Sequence, residues 1–221
     1  MRRLISESLA ACAFFLGVSV TSSVAQTARL EGRLDEATRA AVEHLADSAR
    51  TAHLPVEPLI AKALEGAAKR ASGERIVAAV RGLVVSLGAA RSALGPGATE
   101  ADLAAGADAL RAGAPAGVLS RLRADRAGET VALPLAILAD LISRGVPADT
   151  ASAAVLLLAS RRAGDAEFTA LEQGVAQDIK QGAPPAWAAA NRARRGPPPG
   201  VPGVPHGNGK GPPKDNPSPN H

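Results

Sequence analysis

The chain has 221 residues, 46% of them apolar but only 2% aromatic, and 25 basic against 21 acidic residues leave a formal charge of +4. That length holds one domain with appendages, and a core made of Leu, Val, Ile and Ala buries little area per side chain. Nearly balanced charge, with no basic face, interleaved aromatics or recognisable motif, argues against a nucleic-acid binder.

Residues 1–25 read as an export signal. Arg2 and Arg3 form a positive start, an apolar run follows from Leu9 to Val20, and Ser23-Val24-Ala25 offers small residues for cleavage. The run is too short to leave a transmembrane anchor. Cleavage after Ala25 makes Gln26 the first mature residue and leaves 23 basic and 20 acidic groups. Leu9-Ala10-Ala11-Cys12 resembles the lipobox of bacterial lipoproteins, but there the cysteine follows the apolar stretch. Here Ala13-Phe14-Phe15-Leu16 continues it, and Glu7 interrupts the segment before. If Cys12 leaves with the leader, no thiol or disulfide chemistry remains.

Residues 26–195 read as an all-α domain of about seven or eight short helices. From 30 to 51, Leu34, Ala41, Leu45 and Ala49 keep one helical face apolar, with Asp35 and Glu36 at the start to complement the dipole. Pro55 opens the next helix, which carries Leu59, Ala63 and Ala67 on one stripe with Leu64 beside it. There Glu65 and Lys69 have the spacing of a surface ion pair.

Two punctuation signals alternate along the rest. Gly113-Ala114-Pro115, Gly145-Val146-Pro147 and Gly182-Ala183-Pro184 each supply a glycine that closes one helix in the left-handed conformation and a proline that starts the next. His53-Leu54-Pro55 is a looser copy, because histidine visits positive φ more readily than most residues.

The second signal is a glycine followed by an acid, at Gly73-Glu74, Gly128-Glu129 and Gly164-Asp165. Apolar ladders follow: Ile76, Val80, Leu83 and Leu87, then Val131, Leu135, Leu138 and Ile142, then Phe168, Leu171, Val175 and Ile179. They read as one helix type written three times. Pro134 sets the start of the second near Leu133, or bends it there.

Pairing the signals gives two-helix units over 53–94, 113–144 and 145–181, with a half-unit from Gly182. Gly95-Pro96-Gly97 and the cap Thr99, with Asp102 three residues on, mark an extra inserted helix over 99–112. Equivalent units would match Pro115 with Pro147 and Gly128 with Gly164. The pattern suits an irregular helical array of antiparallel pairs, or a bundle whose loops share turn chemistry. Residues 196–221, with nine prolines and six glycines, read as a disordered tail dispensable for folding.

The segment Leu54-Pro55-Val56-Glu57-Pro58-Leu59-Ile60-Ala61-Lys62-Ala63-Leu64-Glu65-Gly66-Ala67-Ala68-Lys69, followed by Glu74-Arg75-Ile76-Val77-Ala78-Ala79-Val80, resembles one in uncharacterised exported bacterial proteins. That resemblance covers about 30 residues and implies no named fold, activity or functional residue.

A search for chemistry finds little. His44 and His53 are nine apart and His206 and His221 lie in the tail, so no zinc-ligand spacing appears and no metal or cofactor is expected. Glu57, Glu74, Asp102, Glu129, Asp149 and Asp165 sit where helix starts and solvated faces put acids. Ser86 and Ser152 lie within helical patterns, away from any nucleophile elbow. No catalytic residue is assigned.

Arg161-Arg162 and the cluster Arg192, Arg194 and Arg195 complement helix ends, and the latter cluster is also a candidate contact for anionic lipid or polysaccharide. Trp187 is expected to pack on the preceding unit. The expectation is a periplasmic or secreted, non-catalytic interaction or structural module whose partner is a protein or other envelope component. The alternatives are a carrier of a small apolar ligand and an enzyme whose site is unreadable.

Overall fold

A computed structural model describes residues 29–195; the expected export signal and the expected disordered tail lie outside the described residues. Within them the chain is all α: α1 Glu36–Thr51, α2 Glu57–Ala68, α3 Gly73–Leu94, α4 Glu100–Ala112, α5 Ala116–Asp125, α6 Ala132–Ser143, α7 Ala148–Ser160, α8 Asp165–Lys180 and α9 Pro185–Arg195. Each substantial helix–helix contact joins elements one or two apart in the chain. That is the packing of an array, with α1, α3, α5, α7 and α9 in one layer and the even helices in the other. It resolves the choice between array and bundle in favour of the array.

The core is one continuous cluster of small and medium aliphatic side chains, with Phe168 its largest member. The three apolar ladders point into it. Ile76, Val80, Leu83 and Leu87 are buried, as are Val131, Leu135, Leu138, Phe168, Leu171 and Val175, while Ile142 and Ile179 pack at its margin. In α1 the buried stripe is Thr38, Val42, Ala46 and Ala49. Of the expected residues only Ala49 is fully inside; Leu34, Ala41 and Leu45 sit at the edge of the face. Asp35 sets that register, because it caps α1 by accepting from the Thr38 N–H (2.9 Å) and hydroxyl (2.7 Å). Those two bonds hold its carboxyl below the usual range.

One joint recurs six times. A residue at positive φ ends a helix, and the N–H after it reaches back five residues to a carbonyl of the last turn. Leu54 bonds Ala49, Ala71 bonds Gly66, Ala114 bonds Ala109, Val146 bonds Leu141, Ala163 bonds Leu158 and Ala183 bonds Asp178. The positive-φ residues are His53, Arg70, Gly113, Gly145, Arg162 and Gly182. At each joint the following residue is apolar and at least half-buried. The N-cap of the next helix comes directly after it in most copies: Ser72, Pro115, Pro147 and Gly164. Proline therefore sits just outside the first turn, with its φ already near the helical value (Pro115 −65°, Pro147 −54°).

This joint corrects the glycine–acid signal. Gly73 is the first residue of α3, Gly164 is the N-cap of α8 at φ −79°, and Gly128 lies at φ +85° in a loop four residues before α6. They are three different positions, so Pro115 corresponds to Pro147 but Gly128 does not correspond to Gly164. The real counterparts at the first and third are Arg70 and Arg162. Val56, not Pro55, caps α2. Pro134 falls in the first turn of α6, where a missing N–H costs nothing.

The pairs also run differently. His53 follows an odd helix and Gly113, Gly145 and Gly182 follow even ones, so Pro55 lies at the opposite edge from the other prolines. Among consecutive helices α3–α4, α2–α3, α8–α9 and α6–α7 pack most extensively, while α4–α5 and α5–α6 make no substantial contact, so the chain is not divided into equal two-helix units. Helix α4 is a regular member of the even layer and not an insertion, and its cap is as expected. Thr99 accepts from the Asp102 N–H (3.1 Å) and Asp102 accepts from the Thr99 N–H (3.0 Å).

Asp102 does more than cap. It is 0% exposed and also accepts from the Thr130 hydroxyl and the Val131 N–H, both at 2.8 Å, just before α6. Burial pushes its carboxyl up, but the hydrogen bonds around it outweigh this and hold it below the usual range. The α4–α6 pairing it joins is the most extensive in the molecule.

The same edge is laced by arginines from the odd layer. Arg91 donates to the His53 carbonyl, Arg123 to Gly97 (3.1 Å), Arg126 to Ala163 (2.7 Å) and Arg161 to Ala193 (3.4 Å). Each ties the end of one odd helix to its odd neighbour. Arg126 is buried beneath this edge, pairs with Glu129 at 2.7 Å and lies 5.5 Å from the centre of the Phe168 ring.

Two outcomes follow. Gly113→Ala should lower stability by about 1 kcal/mol, because only the left-handed backbone opposes it, while Arg70→Gly raises stability by about 0.5–1 kcal/mol; chemical denaturation measures both. Asp102→Ala removes the acceptor of three hydrogen bonds, one of them from the buried Val131 N–H, and should cost about 3 kcal/mol. Since the folded carboxyl titrates below the unfolded one, its contribution is complete above about pH 4 and is lost as pH falls through the folded value. Wild-type stability should therefore drop more steeply in acid than that of Asp102→Asn.

Candidate interaction groove

Helix α3 is the longest element and packs against α1, α2, α4 and α5. By length and hydropathy it is apolar enough to cross a membrane, a test that the core helix of a globular array also passes. Its inward stripe is filled. Its outward face presents Ala78, Ala79, Gly82, Val85 and Ala89, all exposed, with Val85 at 68%.

Over this helix the even layer is interrupted. Helices α2 and α4 both rest on α3 but make no substantial contact with each other, whereas α4, α6 and α8 pack in succession. The gap is a groove of about 350 Å³ floored by Leu83. Pro58, Ala61, Lys62 and Glu65 form its α2 wall, and Ala104, Asp108 and Arg111 its α4 wall. Lys62 and Glu65 also border a second recess of about 170 Å³ with Gly66, Arg75 and Ala79, so the two are divided only by these side chains.

Each wall carries its own ion pair. Glu65 accepts from Lys62 at 2.8 Å and from Lys69, the pair expected from the four-residue spacing. Its carboxyl is held down to about 2 by those two ammonium groups, Lys62 first. Across the groove Arg111 pairs with Asp108 at 3.4 Å. These side chains are 25–71% exposed, so water screens each pair and it contributes little to stability.

The residues singled out for chemistry are dispersed. Glu57 pairs with Arg29, Glu129 with Arg126, and Asp165 lies 3.9 Å from Arg126. Glu74 and Asp149 sit in exposed first turns, and Asp102 is occupied in capping. His44 is exposed on α1, and His53 is exposed in the first joint. Ser86 bonds the Gly82 carbonyl (3.0 Å) within its helix, and the buried Ser152 hydroxyl has no partner. No group of three metal-ligating side chains occurs among the described residues.

The C-terminal arginines divide. Arg192 folds over Gly174 and grips Asp178 with two bonds, 2.7 and 2.5 Å, holding that carboxyl below its usual range. Arg194 and Arg195 point to solvent. Trp187 does not pack on the preceding unit. It is 55% exposed, because Ala188, Ala189 and Ala193 form the buried stripe and Trp187 falls opposite them.

Sequence reasoning found the Glu65–Lys69 pair but not the groove. The matching signal was Asp108 and Arg111, three apart, on a helix whose other positions are almost all small. No family model, curated protein or solved structure matches the chain, so the resemblance over 54–80 gains no named family.

The glycines on either side of α3 offer a test of this geometry. A Cβ on Gly82 would meet nothing within 4 Å, whereas one on Gly106 would lie 3.1 Å from Ala90 and Leu94. Gly82→Ala should raise the melting temperature, by about 1 kcal/mol of helix propensity, and Gly106→Ala should lower it.

Proposed function

We propose that the protein is an exported, non-catalytic interaction module of the cell envelope. On this reading its partner is another protein, one that lays an amphipathic helix along the α2–α4 groove. The observation that carries the reading is a groove left open over α3 where α2 and α4 stand apart, lined by Pro58, Ala61 and Ala104 and rimmed by charges of both signs. A docked helix would cover Pro58, Ala61 and Ala104 with its apolar stripe and meet Lys62, Glu65, Asp108 and Arg111 with its flanks. Gly82, exposed in mid-helix and needed by no contact inside the fold, permits close backbone approach beside this groove. Export is supported by the order of charge, apolar run and small-residue site in residues 1–25.

A carrier of a small apolar ligand would require an enclosed apolar cavity. The recesses lined by α2, α3 and α4 and by α1 and α3 are open and charge-rimmed, which makes that the weaker reading. An enzyme would require acids gathered in one cleft, and here they are spread along the array.

Photo-crosslinking residues placed at Ala61 and at Ala104 in the native host should capture one common protein, absent when the crosslinker replaces Arg121 on the far layer. The captured protein, once purified, should lose affinity about tenfold or more for Ala104→Glu, whose helical content stays unchanged. Capture from Arg121 but not from the groove, or full affinity for Ala104→Glu, would sink the proposal.

A further inference from the structure

The net charge of the chain is not spread along it. Residues 1–180 carry twenty basic and twenty acidic side chains, so the whole formal charge of +4 belongs to residues 181–221. Helix α9 contains three arginines and no acid. Its inward half is spent on structure, with three buried alanines and Arg192 locked on Asp178.

The outward half has no such duty. Trp187 and Arg194 are seven residues apart, two turns along one stripe, and both are exposed. Arg195 stands beside them, and Arg162 lies at the same edge, where its neighbour Arg161 reaches the Ala193 carbonyl. The last helix of an array is expected to be polar on its outer face. There Trp187 leaves 55% of its surface in water.

We propose that this outer face of α9 is a docking surface for an anionic lipid bilayer. An indole with an apolar body and a polar N–H settles at the headgroup level. Guanidinium groups two turns along the same face meet lipid phosphates, and a helix carrying both lies in the plane of the surface. The favoured partner is a membrane and not a soluble polyanion because of Trp187: arginines alone satisfy a polysaccharide, which makes no use of an exposed indole. This face lies at the opposite end of the array from α1 and is independent of the groove.

Trp187 is the only tryptophan in the chain, so its fluorescence reports on this face directly. The protein as its host produces it should show a blue-shifted, stronger emission with vesicles of phosphatidylcholine and phosphatidylglycerol. Vesicles of phosphatidylcholine alone should give no shift, and high salt should reverse the effect. Paired Arg194→Glu and Arg195→Glu should weaken vesicle co-sedimentation about tenfold or more, and Trp187→Ala should weaken it as well, with unchanged helical melting. Lys210→Glu with Lys214→Glu should leave the tryptophan shift in place. Three results would overturn the proposal. One is no emission shift with anionic vesicles. Another is equal binding by dextran sulfate with no preference for lipid. The third is binding abolished by the Lys210 and Lys214 changes while the Arg194 and Arg195 changes leave it intact.

Discussion

The buried carboxylate of Asp102 is the constraint on which the middle of the array depends. A charge removed from water is tolerated only where hydrogen bonds replace its hydration. Here the replacements come from two different helix starts: the Thr99 N–H at the head of α4, and the Thr130 hydroxyl and Val131 N–H ahead of α6. The loop between α5 and α6 is the longest connection in the array, and without these bonds it would have no fixed path back to the even layer. One side chain thus caps its own helix, anchors a loop and sets the pairing of α4 with α6.

The rest of the edge works on the same principle with the opposite charge. A core of Ala, Val and Leu gives short helices little area to bury, so the helix ends need directional bonds. Arg91, Arg123, Arg126 and Arg161 supply them by donating to carbonyls at the ends of neighbouring odd helices. At the other edge every link is closed by the repeated positive-φ joint, which satisfies the last carbonyls with backbone alone; the joints at His53 and Arg162 lie on the arginine edge and take both kinds of bond.

This division explains what the sequence made legible. Glycine followed by an apolar residue and proline is a local signal, because backbone conformation and the lost N–H are properties of those residues themselves. It marked three joints correctly, and His53 a fourth. Arg70 and Arg162 occupy the same conformation with no local sign of it. There the adjacent Gly73 and Gly164 drew attention to the wrong residue. The apolar ladders were readable from periodicity, and so was the Thr99–Asp102 cap. The bond from Asp102 to Val131 was not, nor the reach of Arg126 to Ala163, since both span about 30 residues or more and depend on packing already in place. Trp187 was misjudged for a related reason: the side of α9 that faces inward is chosen by three alanines that fit closely, not by its largest apolar residue.

The groove and the Asp102 anchor are two consequences of one pattern in α4. Its Leu103, Gly106, Ala107 and Ala109 are buried in close packing, with Gly106 set against Ala90 and Leu94 of α3. The remaining stripe, Ala104, Asp108 and Arg111, follows helical spacing toward α2, which answers with Pro58, Ala61, Lys62 and Glu65 at the same spacing. Both stripes mix small apolar residues with charges. Closing α2 onto α4 would take two ion pairs out of water, and their mutual attraction does not reliably repay that desolvation. Holding them apart leaves the charges hydrated and the small residues uncovered. Because α4 is already committed to α6 through Asp102, it cannot follow α2, and the gap over α3 is a fixed feature of the fold rather than looseness in its packing.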